Sequence, residues 1–374
     1  MTMIVQRRRN EEGATAIIVV VFSVLLLVTI SLGFMRMVIQ EQTRSLENEL
    51  SRGAYDSAVA GVEDGKRVLE ECRLNSSSPS CAAIAAQECD TTARAGIVST
   101  INNEVKLQTT GGVDGGFDQA YTCVKISPDT PDFQGSLETD SSRIIPLETT
   151  GSFTQLRVSW FRNPGASQVV AFPAVPATPR FPTLSNWVAA PAVRPPVLRV
   201  QLIMYQEGTS TPADFDSPDG GRTVYLYPAG TTGLSAGSFA TDTRAASPAN
   251  ILRSQCSTVG TYMCSMVLDL PRQITPTAPA GRVMAYLRVT SVYAGADFSV
   301  SPVGVSFNGV QPIVDSTGRA SDVFRRVSAR VERLNVNDAQ LYPRATADVT
   351  GSFCKAFGVT SNEYVGPSNC TLYP

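Results

Sequence analysis

Cysteine is the residue type whose number and spacing most clearly predict covalent chemistry in this sequence. The chain has 374 residues and eight cysteines, none of which forms a CxxC pair. A single cysteine is often a buried thiol, but an even set spaced like loop staples behind a membrane segment predicts disulfide bonds in an oxidising compartment. The eight are Cys72, Cys81, Cys89, Cys123, Cys256, Cys264, Cys354 and Cys370. Close spacing suggests Cys72–Cys81, Cys256–Cys264 and Cys354–Cys370; for the first four cysteines we favour Cys72–Cys81 and Cys89–Cys123, leaving other connectivities open.

The absence of histidine from the sequence excludes several kinds of catalytic and metal site. Neither a Ser-His-Asp nor a Cys-His arrangement can be built, and no zinc site can have histidine ligands. The sequence also contains no clear dinucleotide-binding, P-loop or GxSxG motif, and no pair of carboxylates stands out. We therefore predict that the chain is not an enzyme, and the net charge of −2 gives no indication of a nucleic-acid partner.

A candidate calcium site lies in the stretch DFDSPDGG at residues 214–221. Asp214, Asp216 and Asp219 place carboxylate oxygens at close intervals before two glycines, and calcium prefers oxygen ligands. The spacing differs from that of an EF-hand, and the same residues are typical of a polar surface turn, which is the preferred interpretation. Calcium is the one candidate cofactor that the sequence offers.

Four arginines of the last predicted strand form a second candidate cluster: Arg325, Arg326, Arg330 and Arg333. Arg326 and Arg330 have one parity in a strand and Arg325 and Arg333 have the other, so the four cannot share one face. Solvated charges that protect a sheet edge are the simpler interpretation.

The element that must position these residues begins with a long uncharged segment. Residues 14–34 contain no charge, and Arg36 is the first charged residue after them. As a helix these 21 residues would extend about 30 Å, the thickness of one hydrocarbon core. Arg7, Arg8 and Arg9 precede the segment, which predicts a cytoplasmic N-terminus and an extracytoplasmic remainder.

The helical pattern continues beyond the membrane segment through residues 35–71. Leu46, Leu50, Ala54, Ala58, Val62 and Leu69 recur at helical spacing, and no proline occurs from Met1 to Ser78. We expect one continuous helix of more than fifty residues, apolar all round in its first half and amphipathic in its second. Three glycines in the second half, at positions 53, 61 and 65, predict close packing against a sheet or another helix.

The basic leader ending in Gly13, the uncharged helix start and the amphipathic continuation together resemble type IV pilins and type II secretion pseudopilins. In particular, the stretch AYDSAVAGVEDGKRVL at 54–69 is similar to the helix of PilX-type minor pilins. The resemblance implies cleavage by a prepilin peptidase between Gly13 and Ala14, and methylation of the new N-terminal amine. It also implies Ile18 at the fifth mature position, where most pilins have glutamate; members without that glutamate resemble minor subunits at a filament tip.

The remainder of the chain is predicted to be rich in strands separated by Gly, Pro, Ser and Thr. Strand candidates lie at 154–161, 197–206, 222–227, 263–270, 282–293 and 323–334, and residues 314–334 resemble a hairpin with a Ser-Thr-Gly turn. The predicted class is α+β, with the long helix packed on an antiparallel sheet and a β-rich inserted lobe at about 160–280. The predicted regions are a leader at 1–13, the helix at 14–71 with its span at 14–34, and an extracellular head at 72–374.

The function that this sequence predicts is that of a minor subunit, at or near the tip of a type IV pilus or related filament. Its expected partners are other pilin subunits, contacted through the helix, the prepilin peptidase, the membrane and a surface ligand of unknown identity. Before assembly it would be a single-pass protein of the cytoplasmic membrane, and afterwards part of an extracellular filament with a disulfide-stapled head for initiation or adhesion. Two alternatives remain open: an uncleaved single-span surface binding protein, and a membrane-anchored hydrolase that uses two carboxylates.

Overall fold

The computed structural model of the chain describes nine ranges of residues. These are 11–107, 118–164, 170–172, 181–188, 193–206, 221–239, 250–257, 259–276 and 283–332, with side chains in the first range described from residue 16. All of them belong to one compact unit.

The described elements are four α-helices, fourteen β-strands and a short 3-10 helix at Gly230–Thr232. The helices are α1 (Glu11–Leu74), α2 (Pro79–Ala86), α3 (Thr91–Arg94) and α4 (Leu184–Val188). The first seven strands are β1 (Val105–Lys106), β2 (Gln119–Thr130), β3 (Phe133–Leu137), β4 (Ser142–Pro146), β5 (Phe153–Arg162), β6 (Val197–Gln206) and β7 (Gly221–Pro228). The others are β8 (Ala236–Ser238), β9 (Ile251–Cys256), β10 (Tyr262–Ile274), β11 (Val283–Val292), β12 (Ala296–Pro302), β13 (Phe307–Ala320) and β14 (Val323–Arg330).

The long helix α1 confirms the prediction of one continuous helix of more than fifty residues, because it is 64 residues long. It begins at Glu11, inside the predicted leader, and ends five residues before Pro79, the first proline in the sequence. The missing backbone N–H of proline makes it acceptable in the first turn of α2 but disruptive inside a helix.

A four-stranded antiparallel sheet, hereafter the helix-covered sheet, packs against the second half of α1. Its strand order is β1-β2-β13-β14. Ala54 and Ala58 of α1 are fully buried, and Val62 packs in one cluster with Tyr121 and Val124 of β2. The phenolic hydroxyl of Tyr121 also donates a hydrogen bond of 2.7 Å to Asp64 of the helix.

Glycines allow α1 and this sheet to approach more closely than ordinary side chains would permit. A Cβ atom at Gly61 would lie 2.3 Å from the hydroxyl of Ser316, and one at Gly65 would lie 2.6 Å from Val314. A Cβ at Gly53 would likewise lie 2.6 Å from the amide nitrogen of Gln119. The predicted close packing at these three helix positions is therefore confirmed.

The remaining ten strands form one large sheet, which the chain builds between leaving β2 and returning in β13. Its order is β3-β12-β5-β10-β9-β7-β6-β11-β4, with β8 paired to β10. Neighbouring strands are antiparallel except for β7–β9 and β8–β10. It spans residues 133–302 and therefore includes the 160–280 segment for which the sequence indicated an inserted lobe.

One face of the large sheet encloses a single hydrophobic core. The alternating residues Leu156, Val158 and Trp160 of β5 are completely buried in it, as the period of two predicts. The same alternation on β6 buries Leu198, Val200, Leu202 and Met204. Phe307 and Val310 at the start of β13 also join this core, whereas Val314 further along β13 belongs to the core beneath α1.

The predicted Ser-Thr-Gly turn in the 314–334 hairpin is wrong. Residues 316–318 continue β13, and the hairpin turns at Ser321 and Asp322 instead, with Ser321 at a φ of 52°. Pairing with Tyr121 of β2 and Arg325 of β14 makes Gly318 a strand residue. The position holds glycine because α1 lies against it: a Cβ there would be 2.2 Å from backbone atoms of Ala54 and Ala58. The glycine thus marks a close approach of two backbones, and not a turn.

Candidate functional site

The first half of α1 is the most apolar surface of the described chain. Its large apolar side chains are exposed throughout; Ile18 and Phe22 are each 67% exposed. Among the described residues, α1 is the one helix that is both long enough and apolar enough to cross a membrane. Exposed apolar surface of this extent indicates contact with lipid or with other protein.

The polar side chains that the structure describes within the apolar segment, those of Ser23, Thr29 and Ser31, are satisfied by the helix itself. The hydroxyls of Ser23 and Ser31 donate to the carbonyl oxygens four residues earlier, at 2.7 and 2.8 Å. The hydroxyl of Thr29 donates to the carbonyl oxygen of Leu26, three residues earlier, at 2.9 Å. Hydroxyls paired in this way can enter a medium that offers no other hydrogen-bond partners.

The residues of the predicted cleavage site lie in the first turns of α1. The backbone of both Gly13 and Ala14 is helical. The side chain of Ala14 lies outside the described ones, and residues 1–10 of the leader lie outside the described residues. Ile18 projects from the exposed apolar surface.

Three disulfide bonds join cysteines of the head. They are Cys72–Cys81, Cys89–Cys123 and Cys256–Cys264, the pairings favoured from the sequence. The first ties the end of α1 to α2, the second ties the segment before α3 to β2, and the third joins β9 to β10. Cys354 and Cys370 lie outside the described residues.

The candidate calcium ligands Asp214, Asp216 and Asp219 also lie outside the described residues. Within the described part of the chain, no group of three or more cysteine, aspartate or glutamate side chains could hold a metal ion.

The arginines of β14 point to two faces of the helix-covered sheet, in agreement with their parity. Arg325 faces α1, where its Nε donates to the hydroxyl of Ser51 at 2.9 Å. Arg326 and Arg330 face the other side and pair with the carboxylates of Asp315 and Asp132. Arg333 lies outside the described residues.

A compact charge network closes one end of the helix-covered sheet. Arg319 of β13 donates to Glu104 at 3.0 and 2.6 Å and to Asp118 at 2.9 Å, and Lys106 contacts the same two carboxylates. The hydrogen bond from Arg319 is the main reason why the pKa of Glu104 lies below its usual value, and the hydrogen bond from Lys106 does the same for the pKa of Asp118. Sequence analysis missed this network because its members come together only through strand pairing.

An aromatic cluster covers part of the large sheet next to α4. Trp187 stacks on Tyr293 with ring centroids 4.6 Å apart and meets the edge of Tyr227 at 5.9 Å. Trp187 and Tyr227 are buried, and burial raises the pKa of Tyr293 to about 12. The cluster is therefore a satellite core that fixes α4, and it offers no exposed aromatic platform.

An open groove of about 730 Å³ runs along the outer face of the large sheet where that sheet meets β14. Its lining includes Asp132, Arg330, Arg157 of β5 and Ser301 of β12. The sequence contained a signal for part of this groove, because the alternation that buries Leu156 and Val158 places Arg157 outward. The groove is the described surface with the clearest chemistry for binding a ligand.

No family model matches this chain, and no curated protein or solved structure shows significant similarity to it.

Proposed function

We propose that the chain is a minor subunit of a type IV pilus or related filament, at or near the filament tip. The observation that carries the proposal is the division of α1 into two halves with different surroundings. The second half packs on the helix-covered sheet, whereas the first half exposes its large apolar side chains, such as Ile18 and Phe22.

The mechanism of assembly in this proposal is the transfer of the apolar half of α1 between two environments. Lipid covers it before assembly, and a bundle of like helices covers it in the filament. Since the helix is continuous with the part that packs under the head, movement of the apolar half carries the head with it. Ile18 supplies no carboxylate for pairing with a neighbouring subunit, which fits a subunit that initiates a filament better than one in its shaft.

The head in this proposal faces outward and serves initiation or adhesion. Three disulfide bonds support a head that works in an oxidising, extracytoplasmic space. The large sheet has a hydrophobic core of its own, separate from the core between α1 and the helix-covered sheet. The subunit therefore has more outward surface than the helix-covered sheet alone would provide.

The second candidate function is an uncleaved, single-span surface protein whose head binds a ligand. The groove around Arg157 favours it, since a binding groove requires no filament.

Mass spectrometry of the N-terminus, on protein isolated from native membranes, tests the proposal. We expect the mature chain to begin at Ala14 with a methylated amine. The matched control is Gly13→Leu, which should leave the leader attached by blocking the peptidase. A native chain that begins at Met1 would remove the proposed assembly mechanism and leave the anchored surface protein.

A further inference from the structure

Part of the groove lining, hereafter its wall, consists of Asp132, Gln134, Ser299 and Arg330, which are joined by hydrogen bonds without any ligand. The carboxylate of Asp132 accepts hydrogen bonds from Arg330 at 2.9 Å, from the hydroxyl of Ser299 at 2.9 Å and from the side-chain amide of Gln134 at 2.8 Å. Arg330 also donates to the backbone carbonyl of Asp132 at 2.8 Å. Because these groups satisfy one another, the wall is preorganised and costs little to order when a ligand binds.

The wall is also tied to both sheets of the molecule. The amide group of Gln311 on β13 accepts from the backbone N–H of Gln134 at 2.9 Å and donates to its carbonyl at 2.7 Å. Arg330 lies on β14, whereas Gln134 and Ser299 lie on β3 and β12. The groove therefore keeps its shape as long as the junction between the two sheets is intact.

Arg157 is the uncompensated charge of the groove. Its side chain is exposed, and within the described part of the chain it makes no hydrogen bond or ion pair. Strand pairing places Arg157 opposite Ser301, whose hydroxyl also has no partner among the described residues. The next pair on the same face of the sheet is Ser159 opposite Ser299. A guanidinium beside several hydroxyls can hold a carboxylate or sulfate through two parallel hydrogen bonds, while the hydroxyls accept and donate to neighbouring hydroxyls of the same ligand.

The backbone of the groove floor is closed to a peptide strand. β5 is already paired with β12 and β10, and β12 is paired with β3 and β5. A ligand must therefore be recognised by side chains, which excludes binding by strand addition at this floor. Val305, which is only partly buried, adds a small apolar surface that suits the C–H face of a sugar ring.

We propose that this groove binds an anionic saccharide, with Arg157 holding a carboxylate or sulfate and the row of serines holding ring hydroxyls. The proposal goes beyond the filament function, because it applies equally to a filament subunit and to an anchored surface protein.

Isothermal titration calorimetry of the full-length protein in detergent micelles tests the proposal. The probes are an oligogalacturonate, a sulfated heparin-derived oligosaccharide, a neutral cello-oligosaccharide and polyglutamate of matched charge. We expect saturable binding of an anionic saccharide, weakened by added salt, and a loss of about tenfold or more in affinity for Arg157→Ala. Which of the two anionic probes binds tells carboxylate from sulfate recognition.

The matched control is Arg253→Ala, which removes another exposed arginine of the large sheet that does not line the groove. The Arg253→Ala variant should bind like the unaltered protein. Arg157→Lys should retain part of the affinity, since lysine keeps the positive charge but lacks the paired donors of the planar guanidinium group. The proposal is overturned by no saturable binding of either anionic saccharide, by equal losses in the Arg157→Ala and Arg253→Ala variants, or by equally tight binding of polyglutamate. Unchanged circular dichroism of Arg157→Ala establishes that a lost affinity reflects the groove and not the fold.

Discussion

The helix-covered sheet and the large sheet bury their cores in opposite ways. The helix-covered sheet has one face against α1, and the contact is made by small residues such as Ala54, Ala58 and Gly61. The large sheet encloses its own core with large side chains, among them Trp160 and Phe298. The first arrangement depends on a helix from elsewhere in the chain, whereas the second depends on no helix.

This difference predicts that the contact between α1 and the helix-covered sheet tolerates few substitutions, whereas the core of the large sheet tolerates more. A helix that approaches a sheet through glycines has little tolerance for larger residues, so the joint between α1 and the head is sterically specified. A core of large side chains tolerates volume-conserving changes better. The joint therefore suits a constant mechanical role, and the large sheet suits the presentation of a binding surface.

Two spectroscopic signals report the two sheets separately. Both tryptophans of the chain, Trp160 and Trp187, lie in or against the large sheet, so tryptophan fluorescence reports that sheet. Among the described helices, α1 is 64 residues long and the next longest is 8, so far-ultraviolet circular dichroism reports mainly α1.

The largest expected effect is that of Trp160→Ala in the core of the large sheet. The indole is completely buried, and its Nε1 donates to the carbonyl of Pro196 at 2.9 Å. We expect a loss of about 4 kcal/mol in the free energy of unfolding, because the substitution leaves a large cavity. Denaturant unfolding followed by the fluorescence of Trp187 measures it.

The control for this prediction is Trp160→Phe, which keeps an aromatic ring and should lose less. The helical circular dichroism signal should persist at denaturant concentrations where the fluorescence of Trp160→Ala has already changed. Loss of both signals together would show that the two sheets unfold as one unit, and would contradict independent stability of the two cores.

The second effect is that of Gly318→Ala at the joint under α1. The added Cβ would lie 2.2 Å from two backbone atoms of the helix, which cannot move aside as a side chain can. We expect a loss of about 3 kcal/mol, seen in the circular dichroism transition and not in the fluorescence transition. Chemical denaturation in detergent micelles measures both.

Gly33→Ala in the apolar half of α1 is the matched control. Apart from the adjoining residues and the backbone of α1 itself, no atom lies within 4 Å of the position of its new Cβ, so the change should be neutral or slightly stabilising, by about 1 kcal/mol at most. Equal destabilisation by both substitutions would contradict the steric explanation of the joint.

Part of this fold follows from local sequence pattern. An uncharged run without proline suffices to predict α1, and simple alternation predicts which residues of β5 and β6 are buried. These predictions succeed because the period of an element is encoded in consecutive residues. By the same argument, alternation places Arg157 on the outer face of β5.

The remainder depends on contacts between residues distant in sequence. Residues 316–318 have the composition of a turn, and only their pairing with β2 and β14 makes them strand residues. The glycine at position 318 is explained by the approach of α1. Likewise, Arg157 becomes part of a groove only because β12 pairs with β5 and brings Ser301 opposite it. Such pairings are set by the global arrangement of strands, which a single sequence does not reveal.

The smallest effect concerns acid stability at the end of the helix-covered sheet, where Arg319 lowers the pKa of Glu104 in the folded state. A group whose pKa is lowered in the folded state stabilises the fold above its unfolded-state pKa. This stabilisation disappears as the pH falls through the folded-state pKa. For Glu104 the loss should therefore occur below about pH 4.5, the ordinary pKa of glutamate. Arg319→Met should therefore lose less stability than the unaltered protein when the pH is lowered to about 3, because part of the pH-dependent contribution is already gone. Circular dichroism transitions at neutral and acid pH measure this difference, with Arg253→Met as a control that retains the network. The hydrogen bond from Arg319 is the largest contribution to the lowered pKa of Glu104, and Arg319→Met removes it. If the variant and the unaltered protein lose the same stability in acid, the acid sensitivity of this sheet must arise from other groups.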